Sequence, residues 1–245
     1  MTDGLLLIHA FPLDARMWDE QVAALGDAVP IVAVNLPGSG ATELAGDVMT
    51  MEGAARRCIE ELDRAGLDRS VVCGLSMGGY VALETWRSHR ERMAGLVLAN
   101  TRAEADGDEG KKRRREVAET VLRDGTTAIL DAMRTLVSLE VSDDLWERVA
   151  SIVVSQPAEA VAAASLGMAE RPDSRPDLPG IAVPTLVITS SGDQLIAPEV
   201  SKPMADAIPG AELALIEGAG HLSNMERPAE FTGFLERHLE RCGLG

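Results

Sequence analysis

The chain has 245 residues with a formal net charge of −16, from 39 acids against 23 bases; 46% of it is apolar and 25% charged. A chain of this length buries roughly 70 to 75% of the surface its unfolded form exposes, so one sizeable core forms without metal or disulfide support, and the composition excludes a disordered acidic tail. The negative field disfavours nucleic acid and anionic membrane as partners and leaves small molecules.

Short apolar runs punctuated by turn residues recur in chain order: LLLI at 5–8, IVAV at 31–34, VVC at 71–73, LVLA at 96–99, TLVI at 185–188 and ELALI at 212–216. Continuous runs of this kind read as strands covered on both faces, the signature of a parallel sheet. Helical patterns lie between them. Trp18, Val22 and Leu25 share one face, and Met51, Ala55, Ile59 and Leu62 repeat at three and four residues behind a cap at Thr50. The alternation predicts βα units with right-handed crossovers and hence a doubly wound α/β fold. The opening MTDGLLLIHAFPL has no basic segment and a four-residue apolar run before His9, so neither signal peptide nor membrane span is expected, and cytoplasmic residence is. Cys58, Cys73 and Cys242 show no paired or metal-like spacing; Cys58 and Cys73 read as small buried hydrophobes.

The alternation fails between about 104 and 178, where 116–122, 129–137, 145–153 and 158–168 all read as helices, with Pro157 suited to a first turn. This divides the chain into a first core part at 1–103, a helical cap at 104–178 and a second core part at 179–245. The KKRRR run at 111–115 reads as a solvated helix surface.

One stretch, VVCGLSMGGYVAL at 71–83, carries a serine through a sharp change from strand to helix. Gly74 and Gly78 flank Ser76 at two residues on each side and permit backbone approaches that a Cβ would obstruct. Gly79 lets the new helix approach its neighbour. Strand, turn and helix are the context that a G-x-S-x-G nucleophile elbow requires, and the N–H of Met77 points where an oxyanion would form. A serine hydroxyl needs a nearby base. Of His9, His89, His221 and His238, His89 and His238 lie in charged stretches and read as surface residues, whereas His221 follows a strand on the glycine-rich loop EGAGH. The alternative for His221 is a plain loop hydrogen bond. Asp193 follows the strand at 185–189, with a turn role beside Gly192 as its alternative. Ser76, Asp193 and His221 in that order at successive strand ends make a nucleophile, acid and base.

LLLIHAFPLDARMW, LPGSG at 36–40, GLSMGGYVAL, SSGDQLIAP and EGAGHLSNMERPAEF together resemble the α/β-hydrolase superfamily, and within it the enol-lactone hydrolase and small carboxylesterase branch. The resemblance implies Ser76 as nucleophile, Asp193 as acid and His221 as base. It also implies a second oxyanion donor in the N–H of Phe11, with His9 as a supporting loop residue. Ala10 departs from the usual glycine, and Asn35 stands where aspartate is common. The usual N-terminal hairpin is missing, which implies six strands and an edge that a homodimer could cover.

The reaction implied is hydrolysis of a carboxylic ester or lactone through an acyl-enzyme, on a small-molecule acyl substrate, with no metal or other cofactor. The same triad could serve C–C bond, thioester or perhydrolytic chemistry, or a cyclisation, instead. The substrate pocket is expected beneath the cap, lined by Phe11, Met77, Met133, Leu136 and Met168, although a methionine of this kind is more often plain core packing than a pocket wall. A dicarboxylate lactone would need a cationic anchor, for which Arg16, Arg102 and Arg134 are candidates by position.

Overall fold

The computed structural model describes residues 2–244. Six strands, β1 (Asp3–Ile8), β2 (Ile31–Val34), β3 (Arg69–Leu75), β4 (Met93–Ala99), β5 (Thr185–Ser190) and β6 (Glu212–Ile216), form one sheet in the order β2-β1-β3-β4-β5-β6. All five pairings are parallel. The side-chain period of two sends Leu5 and Leu7 of β1 to one face and Leu6 and Ile8 to the other. Each set joins a separate apolar layer, so the sheet has two cores rather than one.

Helices α1 (Asp19–Leu25), α2 (Met51–Arg64) and α3 (Met77–His89) occupy the first half of the chain. Four more lie between β4 and β5: α4 (Asp108–Asp124), α5 (Leu130–Met133), α6 (Asp143–Val154) and α7 (Ala158–Ala169). The last three are α8 (Pro198–Ala207), α9 (Ser223–Glu226) and α10 (Pro228–Arg241). Leu25 of α1 and Phe231, Leu235 and Leu239 of α10 pack on one face of the sheet, where Trp18 meets Phe231 at 5.8 Å between ring centres. Helices α2, α3 and α8 cover the other face through residues such as Leu62, Val81 and Met204. Thr50 caps α2 as its sequence position suggests, its hydroxyl accepting the N–H of Gly53 at 3.0 Å.

Three sequence expectations are corrected here. Val22 is more than a third exposed, and Gln21 takes the inward position between Trp18 and Leu25. Gln21 can do so because its amide donates to the carbonyl of Asn224 at 3.1 Å; a 3-10 turn over Ala15–Trp18 changes the helical phase ahead of α1. Strand β6 is not covered on both faces, since Leu213 and Leu215 on the sheet's edge are exposed. His238 is buried inside α10's packing rather than on the surface, with Nε2 3.6 Å from the Cys242 sulfur. The basic run 111–115 does lie on a helix: Arg114 pairs with Asp106, and Lys111 and Arg115 pair with Glu170.

Candidate active site

The order of the strands reverses at β1. The chain leaves β1 through α1 on one face to reach β2, then returns past β1 and leaves β3 through α3 on the opposite face. Loops that diverge in this way open a crevice at the carboxyl ends of the two strands. Two sequence-singled segments, 9–11 after β1 and Ser76 after β3, therefore meet at one place.

Strand β3 pairs with β4 through Gly74 and Leu75, so it extends past the apolar run at 71–73. Helix α3 begins at Met77, and Ser76 alone makes the turn with φ 56° and ψ −113°. A non-glycine residue held there costs on the order of 1–3 kcal/mol and persists only when its surroundings fix it. Here the Ser76 N–H donates to the Ala99 carbonyl at 2.9 Å, and the Ser76 carbonyl accepts from Gly79 N–H at 2.9 Å and Thr101 Oγ1 at 2.7 Å. The glycines are steric requirements. A Cβ on Gly74 would lie 2.1 Å from the Gly78 carbonyl oxygen, one on Gly78 would lie 2.1 Å from that of Ile8, and one on Gly79 would strike the Thr101 side chain.

Asp193 and His221 come together as their order predicts. The loop after β5 carries Asp193, the loop after β6 carries His221, and His221 Nδ1 lies 2.7 Å from Asp193 Oδ2 with both side chains buried. Asp193 Oδ2 also accepts from Asn100 Nδ2 at 2.9 Å, and Oδ1 accepts the N–H groups of Leu195 and Ile196, each at 2.9 Å. Burial pushes this carboxyl's pKa up, but the hydrogen bond and charge of His221 and the other donors outweigh it and hold the group below its ordinary value. The second ring nitrogen, Nε2, is buried and has no hydrogen-bond partner among the described residues. Ser76 Oγ therefore makes no hydrogen bond to Nε2.

As first residue of α3, Met77 has an N–H with no acceptor in its own helix. Phe11 precedes a cis bond to Pro12. His9 is fully buried behind it, with Nδ1 3.0 Å from the Ala10 carbonyl and Nε2 accepting the Leu36 N–H at 3.1 Å. Both nitrogens are thereby used, and burial lowers the pKa to about 4, against the raising influence of the Ala10 carbonyl and Asp14, so the ring is neutral. Ala10 does not occupy the left-handed region, where Ser76 and Asn100 are the described non-glycine residues, so its methyl group carries no backbone strain. Asn35 accepts the Ala15 N–H at 2.8 Å through Oδ1, an acceptor role that needs no negative charge.

The same physics sets a pH dependence of stability. His9 and His238 are both lowered to about 4, chiefly by burial, whereas an unfolded histidine titrates near about 6.5. Below about 6.5 the unfolded chain binds protons that the folded one refuses, so stability is full above that value and falls as pH drops toward 4, by up to about 3 kcal/mol per histidine. Calorimetric Tm values should decline between pH ~6.5 and ~5, above the range where most carboxylates titrate. A flat Tm over that interval would contradict the assignment of both rings as buried and neutral.

A small cleft beside the elbow is lined by Phe11, Pro12, Ser39, Met77 and Gln156, with Ala160, Val161 and Ala164 of α7 as one wall. Its free volume is about 10 Å³, room for about one water. Met133, Leu136 and Met168 do not line it. Met133 is buried in the layer of α1 and α10, Met168 in the layer of α2 and α3, and the Leu136 carbonyl accepts the His221 N–H at 2.7 Å. No arginine candidate reaches the cleft either. Arg16 binds Asp14 and Ser155, Arg102 donates to the Leu195 carbonyl, and Arg134 stacks over Trp146 at 5.1 Å. Among the described residues no three His, Cys, Asp or Glu side chains converge to hold a metal ion.

Sequence reasoning overlooked four residues. Asn100 joins Asp193, Ser190 and, through Oδ1, the Ser223 hydroxyl at 2.6 Å. Gln156 is held between Asp14 Oδ2 at 2.8 Å and the Gly40 N–H at 3.1 Å. Glu226 accepts the N–H groups of Gly220 and Ser138. Asn100 carried a signal, since it is a polar residue directly at the carboxyl end of the apolar run 96–99; Gln156, Ser223 and Glu226 carried none.

A family model for the alpha/beta hydrolase family matches residues 5–233. A thermophilic esterase from Thermogutta terrifontis superposes with a TM-score of 0.95 at 38% identity, over 99% of this chain and 90% of its own. The enol-lactonase from Burkholderia xenovorans LB400 gives 0.89 at 28% identity, over 96% and 90%. By sequence, 3-oxoadipate enol-lactonase 1 of Acinetobacter baylyi is 27% identical over 241 residues, 95% of this chain and 88% of that protein. With a match spanning nearly the whole chain, the six-stranded parallel sheet and a serine elbow at its switch point, the protein belongs to the alpha/beta hydrolase family.

Proposed function

We propose that this protein, a serine hydrolase of carboxylic esters or lactones, works through Ser76, His221 and Asp193. The observation that carries the assignment is the buried His221–Asp193 pair at 2.7 Å with Nε2 left unpartnered. The Asp193 carboxylate holds the Nδ1–H tautomer, which leaves Nε2 free to accept the Ser76 proton as Oγ attacks the acyl carbon. The N–H groups of Phe11 and Met77 would receive the resulting oxyanion. His221 then protonates the leaving oxygen, and water repeats the sequence on the acyl-enzyme. Asp193 stays ionised throughout, as the lowering of its pKa supports.

The cleft's lining supports an uncharged acyl group, since none of Phe11, Met77, Gln156, Ala160, Val161 and Ala164 carries charge. Among p-nitrophenyl esters, kcat/KM should fall by about tenfold or more for each methylene beyond what the pocket accommodates, at about 1–3 kcal/mol per misfit methylene. A panel of such esters with lactones, thioesters and β-diketones checks both class and size. A leading rate on diketones with negligible ester or lactone turnover would overturn the reading. The acidic balance of the chain supports neutral small substrates over polyanions. The unpaired β6 edge, with Leu213 and Leu215 exposed, supports a homodimer, which sedimentation would register at twice the 26.0 kDa chain mass.

A further inference from the structure

The histidine loop and one stretch of the helical segment between β4 and β5 are held together by three hydrogen bonds. His221 N–H donates to the Leu136 carbonyl at 2.7 Å. Glu226, nine-tenths buried at the end of α9, accepts Gly220 N–H on Oε1 at 3.1 Å and Ser138 N–H on Oε2 at 2.9 Å. One carboxylate therefore bridges two backbones that are more than eighty residues apart in sequence. The contact is also tight without it: a Cβ on Gly220 would lie 2.6 Å from the Ser138 nitrogen and 2.8 Å from the Val137 carbonyl carbon. Helix α9 is itself fixed to the sheet, because Ser223 donates to Asn100 Oδ1 at 2.6 Å and Asn224 donates to the Met17 carbonyl at 2.8 Å.

We propose that Glu226 is a positioning residue for His221, clamping the histidine loop to segment 136–138 so that this stretch sets where the imidazole stands relative to Ser76. The inference rests on the reading of His221 as the base. Neither Glu226 nor Gly220 nor segment 136–138 lines the cleft at Phe11 and Met77. Loosening the clamp should therefore act on the reaction step rather than on substrate binding. In Glu226→Gln the side chain keeps its shape, but its NH2 faces one of the two N–H donors and cannot accept from it, while its amide oxygen keeps the other. One loop is released, and a displacement of about 1 Å at a catalytic group is worth about 10²-fold in rate.

Steady-state kinetics on a short p-nitrophenyl ester, well below each variant's Tm, test the proposal. Glu226→Gln should lower kcat by about 10- to 100-fold with KM within about twofold. Gly220→Ala breaks the same contact from the other side and should give the same split, which keeps the test available if one variant folds poorly. The deciding readout is a double-mutant cycle. A residue that acts only through His221 has no effect once His221 is gone, so Glu226→Gln should leave the residual rate of His221→Ala unchanged. The proposal is overturned if kcat stays within twofold of the parent, if KM carries the loss, or if Glu226→Gln reduces the His221→Ala residual rate by its full factor. A fully active His221→Ala would instead sink the triad assignment itself, a result distinct from any of these.

Discussion

Ser76→Ala is expected to lower kcat by about 10⁴- to 10⁶-fold while leaving KM and the fold close to the parent's, and His221→Ala to do the same. The two residues act as one unit, so the double variant should be no worse than either alone. The strain at Ser76 offers a control that separates chemistry from folding. At φ 56° an alanine is as strained as the serine, whereas glycine adopts that conformation without penalty. Ser76→Gly should be as inactive as Ser76→Ala yet more stable by about 1 kcal/mol, seen as a higher Tm. Measured hydrolysis within tenfold of the parent in either variant would exclude Ser76 as nucleophile. A Tm of Ser76→Gly below that of Ser76→Ala would show that the strain is not where the backbone places it.

Asp193→Asn carries the second large effect, and the reason lies in the surroundings of its carboxylate. Its four hydrogen-bond partners are all donors: His221 Nδ1 and Asn100 Nδ2 on one oxygen, Leu195 and Ile196 N–H on the other. Whichever way the asparagine amide turns, its NH2 meets donors. If it turns toward His221, the imidazole relieves the clash by moving its proton to Nε2 and accepting at Nδ1. Nε2 then carries a proton and cannot take one from Ser76. The same change in a chymotrypsin-type triad costs about 10⁴-fold in kcat through the wrong tautomer, and a loss of that order is expected here. A loss smaller than tenfold, in protein whose circular dichroism matches the parent's, would contradict the tautomer role of Asp193.

The parallel sheet was legible because five of its six strands are apolar on both faces, and the helices between them follow a 3.6-residue period. The sixth, β6, misled for a physical reason. ELALI has the composition of a covered strand, but nothing in the sequence says that it ends the sheet and leaves Leu213 and Leu215 exposed. Ser76, Asp193 and His221 could be singled out because each stands within five residues of a strand's end with a glycine one or two positions away. The glycines themselves report contacts invisible locally: Gly78 makes room for the end of β1 at Ile8, seventy residues earlier.

What the sequence hid was held by long-range polar contacts. Gln156 lines the cleft only because Asp14 and Gly40 fix its amide from another part of the chain. Glu226 sits in a charged stretch, NMERP, that looks solvated until Ser138 and Gly220 are brought to it. His238 has charged neighbours along α10, yet the helix turns it inward toward Cys242 and Gly95. Met133 and Met168 lie in different apolar clusters, and the small side chains of α7 line the cleft beside the elbow.

The central claim is that Ser76 is an activated nucleophile at a strained turn, and covalent trapping tests it most directly. Intact-protein and peptide mass spectrometry after treatment with a fluorophosphonate should show a single phosphonyl group on Ser76, formed in step with the loss of ester hydrolysis and absent from Ser76→Ala and His221→Ala. Folded protein that hydrolyses esters but takes no adduct, or takes it at another residue, would contradict the account.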